Sequence, residues 1–343
     1  MILYYTDIQG DKYSRFDMKT KSGYGLRLDN IIQCADWISS QIRERKPRAV
    51  INGGDTYNSI GIVSSEVLSA MGVCISKITQ ACKEVGAEHI IILGNHDMGI
   101  LSNAVTSVDH FGSLSEARII REPEEFELEG KLISLIPYSH DKNFTSAALK
   151  ASESRADLAF THLDFNGFKF NNFKTSEAEL NPNSFRKGFK IINGHYHIPQ
   201  VIGNVTCVGS CIQHKYSEFS KKRGILWIDS DLNTEHIQNT VSPWLVKVNS
   251  TKELRELEIP VSSYVYIDYN PAAENLEELD AELNKYARII INRSSASIKM
   301  KHIENKLKGD SPEEVLHSFI TDFYETTLDK SVLLERGREL LNI

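Results

Sequence analysis

Several short apolar segments of this chain each run directly into a residue that can bind a metal ion. Short apolar runs that stop at a glycine or polar turn are typical of buried β-strands. The segments cover 2–6, 49–54, 89–93, 157–161 and 189–193. The residues that follow them are, in order, Asp7, Asp55, Asn95, His162, and His195 with His197. The sequence therefore predicts a cage of oxygen and nitrogen ligands on the rim of a sheet.

This mixture of ligands restricts the metal. Carboxylate and imidazole together suit Mn²⁺, Fe²⁺ or Zn²⁺ better than Mg²⁺ or Ca²⁺. One ion takes about four protein ligands, so this larger set indicates two ions that share Asp55 as a bridge. The other ligands are predicted to divide into Asp7 and His197 for one ion, and Asn95, His162 and His195 for the second.

His96 follows the ligand Asn95 but is not needed as a ligand itself. We expect it to donate a hydrogen bond or a proton to a phosphoryl oxygen or leaving group, and we expect Asp97 to orient its imidazole. A single His or Asp at a strand end is more often a turn or capping residue than a ligand. The ordered recurrence of such residues after successive strands favours the metal cage.

The motifs together resemble those of the calcineurin-like metallophosphoesterases. They are Asp7-x-Gln9, Gly54-Asp55, Gly94-Asn95-His96-Asp97, Thr161-His162 and Gly194-His195-Tyr196-His197. The segment 161–168 and the later Gly209-Ser210 turn are similar to the nuclease subunit of the Mre11/SbcD family, particularly its phage members. The motifs cover roughly residues 1–230, and the remainder resembles the family only in architecture.

This resemblance implies a fold and a function. The implied fold is α/β, a four-layer α/β/β/α sandwich with a small C-terminal α+β capping module and terminal helices. The implied cofactor is a pair of Mn²⁺ ions, with Mg²⁺ as an alternative, and the implied substrate is DNA. The implied partners are a Rad50/SbcC-like ATPase and a second copy of the chain. The family places its dimer contact near 64–85, although packing on the sheet explains the surplus of apolar residues in this segment almost as well.

One position departs from the family motif, in which the first pair of ligands is Asp-x-His. This chain has Gln9 at the His position. Glutamine can ligate through its amide oxygen, more weakly than imidazole, or hydrogen-bond a metal-bound water. We therefore expect the ion held by Asp7 and His197 to bind more weakly than the other.

Composition sets broader bounds. The net charge of −7 argues mildly against a general nucleic-acid binder, although basic residues cluster near the predicted metal site: Lys169, Lys174, Arg186, Lys187, Lys190, Lys215, Lys221, Lys222 and Arg223. The five cysteines contain no CxxC pair and are predicted to be buried, reduced thiols. The sequence shows neither an apolar run of the ~18–20 residues that span a bilayer nor a signal-peptide pattern. We therefore expect a cytoplasmic protein, in the host cytoplasm if a phage encodes it, with no membrane partner.

Three domains are predicted along the chain: the nuclease domain 1–242, the capping domain 243–303, and a linker with partner-binding helices, 304–343. Amphipathic helices are predicted at 26–45 and 64–85, and a βαβ module at 264–269, 275–286 and 287–292. A capping box, Ser311-Pro312-Glu313-Glu314, begins an apolar helix. In the family the equivalent tail binds the ATPase, so 311–343 is predicted to do the same, with self-docking as the alternative.

The leading hypothesis is a Mn²⁺-dependent DNA exonuclease and endonuclease subunit of an Mre11-Rad50-like complex in recombination, repair or replication. One alternative is a small-molecule phosphodiesterase or a phosphatase, against which the C-terminal module and helices argue. Another is a metal-weakened scaffold for the ATPase, for which Gln9 argues. Hydrolysis of a generic phosphodiester with and without Mn²⁺ separates the scaffold from the enzymes.

Overall fold

Two six-stranded sheets form the centre of the molecule in this computed structural model. It describes residues 1–12, 19–99, 105–171, 173–219, 222–257, 259–260, 262–269, 288–293, 311–318, 320–321 and 329–341. The first sheet contains β1 (Ile2–Tyr5), β2 (Ala49–Asn52), β3 (Glu88–Ile92), β4 (Arg118–Ile120), β11 (Gly224–Ile228) and β12 (Thr234–Gln238), in the order β12-β11-β1-β2-β3-β4. Strands β1 to β4 are parallel, while β11 and β12 are antiparallel to their neighbours.

The second sheet has the order β5-β6-β7-β8-β10-β9. Its strands are β5 (Glu124–Leu128), β6 (Lys131–Ile136), β7 (Leu158–Thr161), β8 (Lys190–Asn193), β9 (Gln200–Ile202) and β10 (Val205–Cys207). Strands β6, β7, β8 and β10 are parallel, with antiparallel strands at both edges. The strands predicted at 2–6, 49–54, 89–93, 157–161 and 189–193 are confirmed as β1, β2, β3, β7 and β8.

Helices cover the outer faces of the sheets. These are α1 (Leu26–Arg45), α2 (Ser65–Val85), α3 (Asp109–Leu114) and α4 (Lys142–Glu153). Helix α2 ends at Gly86, whose φ of 72° forms a left-handed C-cap. Helix α4 begins at Asp141, whose carboxylate accepts hydrogen bonds from the N–H groups of Asn143 and Phe144.

Successive side chains of a strand point to opposite faces of its sheet, and this alternation produces the layers of the fold. Leu3 and Tyr5 pack with α1 and α2, whereas Ile2 and Tyr4 pack between the sheets, where Tyr4 stacks on Phe160 at 5.3 Å. On the far side of the second sheet a third cluster includes Leu149 of α4. The predicted four-layer α/β/β/α sandwich is confirmed.

The apolar face of α2 packs against the sandwich. Met71, Cys74, Ile75 and Ile78 are all fully buried, which accounts for most of the apolar surplus that also suggested a dimer contact. The five cysteines are free and buried, as predicted. Among the described residues, no helix combines the length and apolar character needed to cross a membrane.

The C-terminal region begins with a strand that was not predicted, β13 (Leu245–Val248), followed by α5 (Thr251–Glu256). Strand β13 pairs in parallel with β14 (Tyr264–Tyr269), and β15 (Arg288–Arg293) completes a three-stranded sheet. The helix predicted at 275–286 lies outside the described residues. The described chain forms two compact units, one of Met1–Asp268 with 288–292, the other of Tyr269, Arg293 and 311–341. The boundaries after 242 and 303 stay predictions.

Two helices, Pro312–Ser318 and Lys330–Leu341, occupy the second unit. The capping box is confirmed, because the Glu314 N–H donates to Ser311 Oγ at 3.2 Å and the Ser311 N–H donates to Glu314 Oε2 at 3.3 Å. The helices contact each other. A side chain at Gly337 would collide with Leu316, and Arg338 pairs with Glu313 at 2.8 Å.

Candidate metal centre

The carboxyl ends of the parallel strands bring the predicted ligands together from both sheets. Asp7, Asp55 and Asn95 follow β1, β2 and β3 of the first sheet, and His162 and His195 follow β7 and β8 of the second. Parallel neighbours end at the same edge of a sheet, and the two sheets pack face to face. The rim predicted from sequence is therefore built jointly by two sheets.

The tightest cluster contains Asp55, His162 and His195, with ligand atoms within 4.8 Å of one another. His162 Nε2 lies 3.4 Å from Asp55 Oδ1. The side-chain oxygen of Asn95 is 3.1 Å from His162 Nε2 and 2.9 Å from His195 Nδ1. His162 Nδ1 donates to the carbonyl of Gly53 at 2.7 Å, so Nε2 points into the cluster and would bind an ion after losing its proton. Four donors converge here, the number one ion requires.

Asp7 and His197 form a second pair beside this cluster. Asp7 Oδ2 accepts a hydrogen bond from Thr6 Oγ1 at 2.7 Å, but the fully buried Oδ1 has no hydrogen-bond partner. That oxygen is 3.9 Å from His197 Nε2. A buried carboxylate oxygen without a partner is costly unless a cation completes it. The donor set therefore fits a second cation.

The backbone is strained at the ligands. Asp7, Gln9, Asp55 and His195 all have positive φ, at 52°, 45°, 53° and 73°. Non-glycine residues rarely adopt this region, and such strain concentrates at functional sites. A side chain at Gly94 would collide with the Asp55 carboxylate, so the glycine of this motif permits the close approach of two strand ends.

Gln9 contacts the carboxylate of Asp55, the predicted bridge. Its Nε2 donates to Asp55 Oδ2 at 3.3 Å, and its backbone N–H donates to the carbonyl of Asp55 at 3.0 Å. The amide NH₂ thus faces the carboxylate with its donor rather than presenting its oxygen as a ligand. This contact with Asp55 differs from both roles predicted for Gln9, which were metal ligand and hydrogen-bond partner of a metal-bound water.

The structure gives Asp97 a different role from the one predicted. Its two carboxylate oxygens accept hydrogen bonds from the backbone N–H groups of Thr56 at 2.8 Å and Gly94 at 3.0 Å. The His96 ring is instead held by the carbonyl of Asn58, 2.5 Å from Nδ1. The orienting role assigned to Asp97 was therefore wrong. The Asp97 carboxylate, one residue after His96, points into the turn because two buried N–H groups there require an acceptor.

Electrostatics divide the centre into charged and neutral groups. Burial would raise the pKa of Asp55, but His162, His96 and His195 outweigh it and hold that pKa well below its usual range. Burial would lower the pKa of His162, but Asp55 and Asp7 raise it to about 9. Burial and the neighbouring His162 lower the pKa of His195 to about 3.

These groups border an open pocket of about 200 Å³. Its lining combines both sheets and the loops that follow them: Gln9, Asp55, Asn58, His96, Phe170, Asn171, His195, His197, Lys215 and Glu218. Hydrogen-bonding side chains and charges of both signs surround the pocket. This lining suits a phosphate ester that lies between cations and basic side chains.

Three of the basic residues that the sequence clusters near the predicted metal site have structural roles. Buried Arg223 donates to the carbonyls of His197 and Glu218. Arg186 donates to backbone carbonyls at the end of α4, and Lys190 donates to the carbonyl of Leu232 at 2.5 Å. Lys215, in contrast, lines the metal pocket as predicted, and Lys221 lies outside the described residues.

Sequence reasoning missed Glu218 and His214. Glu218 Oε1 lies 2.9 Å from His197 Nδ1, and its carboxylate is buried. His214 Nε2 lies 2.8 Å from the carbonyl of Asp7, and its other ring nitrogen contacts Arg27. No motif marks either residue. Only the contacts across the folded chain assign them to the support of Asp7 and His197.

The chain is similar to a protein named exonuclease subunit 1, from Enterobacteria phage T4. The two are 22% identical over 331 residues, which cover 92% of each chain. No family model matches the chain. This near full-length match confirms the resemblance to phage nuclease subunits that the motifs predicted.

Two solved structures are also similar. One is Yfce, a phosphoesterase from E. coli, with a TM-score of 0.37 and 13% identity over 70% of this chain and 94% of that one. The other is a dimetal phosphatase from Danio rerio, with a TM-score of 0.37 and 12% identity over 69% of this chain and 92% of that one.

Proposed function

We propose that this protein is a metal-dependent phosphodiesterase that acts on DNA, as the nuclease subunit of a larger complex. The observation that carries the proposal is the convergence of Asp55, Asn95, His162 and His195 beside the Asp7–His197 pair. Near full-length similarity to a phage exonuclease subunit supports the choice of DNA.

Each cation would have its own ligands. Asn95, His162 and His195 would hold one ion, Asp7 and His197 the other, and Asp55 would bridge them. We assign Mn²⁺, because mixed carboxylate and imidazole ligands suit it better than Mg²⁺. When bound, such a pair polarises a phosphate and lowers the pKa of water. Gln9 would hydrogen-bond the bridging carboxylate, as it does in this structure.

His96 is the proposed proton or hydrogen-bond donor. Since the Asn58 carbonyl can only accept, Nδ1 carries a proton, and Nε2 donates only when the ring is the imidazolium. Nε2 lies 4.0 Å from Asp55 Oδ2, at the rim of the pocket. From there the imidazolium would neutralise a phosphoryl oxygen or protonate the departing sugar oxygen.

We also propose an assembly. The helices in 311–341 pack on each other in a unit of their own, and the similar phage protein is named a subunit. Both features support a partner subunit for this tail, and we propose that it is a Rad50/SbcC-like ATPase. A homodimer and a cytoplasmic location complete the proposal.

Digestion of end-labelled linear and hairpin DNA tests the proposal, with Mn²⁺, Mg²⁺ or EDTA. We expect cleavage with Mn²⁺, less with Mg²⁺ and none with EDTA. His195→Ala should be inactive, while His236→Ala, an exposed histidine on β12, should match the unmodified protein. Cleavage that persists in EDTA, or equally in His195→Ala, would contradict the proposal.

A further inference from the structure

A turn between His162 and His195 presents an aromatic side chain to solvent. Phe173 is 88% exposed, more than any other large hydrophobic side chain in the part of the chain the structure describes. We call Phe170, Asn171, Phe173 and Lys174 the aromatic turn. A large apolar side chain exposed beside a polar pocket is a feature to explain, because its burial elsewhere would be favourable.

The aromatic turn is ordered by its own hydrogen bonds. Asn171 Oδ1 accepts from the N–H groups of Phe173 at 2.8 Å and Lys174 at 2.9 Å. The Phe170 N–H donates to the carbonyl of Lys174 at 2.9 Å, and Lys169 pairs with Thr175. Asn171 therefore holds the backbone N–H groups of both Phe173 and Lys174, while the Phe173 ring stays exposed.

The base of the turn is attached to the metal centre. Phe170 meets His195 edge-on at 5.5 Å between ring centroids and lies 5.0 Å from Tyr196. Gln200 accepts from the Lys169 N–H and donates to its carbonyl, both at 2.8 Å. The turn is thereby held against the segment that supplies two predicted metal ligands.

A second depression of about 710 Å³ shares the lining residue Phe170 with the metal pocket. Phe173, Lys174 and Lys142 line it, together with Asp164 and Glu177. The Lys174 ammonium lies 5.0 Å from the centroid of the Phe170 ring. Asp164 is already engaged, as it accepts hydrogen bonds from Ser176 and Tyr196. Aromatic faces interleaved with lysines are the surface on which proteins bind single-stranded nucleic acid.

We propose that the aromatic turn stacks an unpaired base of the strand whose phosphodiester lies in the metal pocket. Phe173 supplies the stacking face, and Lys174 contacts the adjacent phosphate. This inference rests on the proposed nuclease function and adds a preference for a splayed single strand over paired DNA. Stacking tolerates every base, so the turn selects strand state rather than sequence.

Fluorescence of 2-aminopurine in a short single strand reports whether the probe is stacked on its neighbouring bases. With EDTA present to prevent cleavage, binding should change the fluorescence of the probe in the unmodified protein, because the base leaves its neighbours for the Phe173 ring, and Phe173→Ala should abolish that change. Phe173→Ala should weaken binding by roughly 5- to 150-fold. Phe173→Trp should keep both the change in fluorescence and the affinity for the strand. Phe144→Ala, which changes another exposed phenylalanine, at the start of α4 and away from the depression, is the matched control.

An abasic unit at the probed position separates stacking from other roles. On that strand Phe173→Ala should bind as the unmodified protein does. The inference would be overturned if Phe173→Ala weakened binding equally on base-bearing and abasic strands, or if it left the fluorescence change intact. A changed mass of Phe173→Ala in sedimentation would also overturn it, because Phe173 would then belong to a protein contact. Cleavage of DNA by the unmodified protein with Mn²⁺ tests the proposed function separately.

Discussion

The two sheets contribute different chemistry to the metal centre. The first sheet supplies the predicted oxygen ligands, Asp7, Asp55 and Asn95, while the second supplies the predicted imidazole ligands. The imidazoles of His162 and His197 are oriented through their second ring nitrogen, by the Gly53 carbonyl and by Glu218. The side with the oxygen atoms contains Asp7 Oδ1, which is buried without a hydrogen-bond partner, whereas positive φ occurs on both sides, at Asp7 and Asp55 and also at His195. The first sheet therefore holds negative charge for cations, and the second holds pre-oriented rings.

Asp55→Asn should have the largest effect, because it removes the charge that both ions are proposed to share while keeping the shape of the side chain. We expect phosphodiester hydrolysis to fall to background and bound Mn²⁺ to be lost, with an unchanged circular dichroism spectrum. Elemental analysis of metal content together with a hydrolysis assay measures both. Retention of two ions would show that Asp55 is not the bridge.

His96→Ala tests a group that belongs to neither ligand set. Loss of the donor should lower the rate by about 10²-fold or more, with unchanged metal content. The matched comparison is His195→Ala, which should lose metal and activity together. If His96→Ala also lost its metal, His96 would be a ligand rather than a donor.

Glu218→Gln sharpens the comparison on the imidazole side. Glu218 accepts a hydrogen bond from His197 Nδ1. Its neutral replacement should therefore lower the affinity for the ion near Asp7 by roughly 10- to 100-fold, as for other residues that orient a metal ligand. Mn²⁺ titration by calorimetry measures this. Glu235→Gln removes a surface carboxylate paired with Arg45 and serves as the control. Equal affinities in Glu218→Gln and the unmodified protein would limit Glu218 to a packing role.

His89, at the amino end of β3, contrasts with the histidines of the centre. It is buried between Tyr5 and Thr79, and burial lowers its pKa to about 3. The pKa of a histidine in the unfolded chain is near 6.5. The contribution of neutral His89 to the free energy of unfolding is therefore fully present above pH 6.5 and is lost as the pH falls toward 3. The loss is about 2 kcal/mol at pH 5. His89→Gln should flatten this dependence in urea unfolding at pH 7 and pH 5, and an unchanged slope would contradict the assignment.

Gln9→His should have the smallest effect. An added imidazole should raise the affinity of the site near Asp7 for its ion by about 10-fold, the lower end of the effect of side chains that support a metal site. The Mn²⁺ concentration for half-maximal hydrolysis should fall accordingly. Equal, tight binding of two ions by the unmodified protein at low Mn²⁺ would show that Gln9 weakens nothing.

Local patterns were sufficient for the strands and caps. Apolar runs ending at Gly94 and Gly194 predicted β3 and β8, because the burial of a parallel strand requires such a run. Ser311 and Glu314 predicted a helix start, since both partners of a capping box lie within four residues. Short or exposed strands such as β9 and β12 contain no comparable run, and they were missed.

The sequence by itself determined which ligand types end which strands, and hence the chemistry of the centre. Only the tertiary structure decided which side chain supports which ligand. Glu218 reaches His197 from 21 residues away, Arg223 turns inward to carbonyls, and Asp97 caps a turn instead of orienting His96. The physical reason is that buried donors and acceptors must find partners wherever the fold brings them, and those partners are set by packing rather than by spacing along the chain.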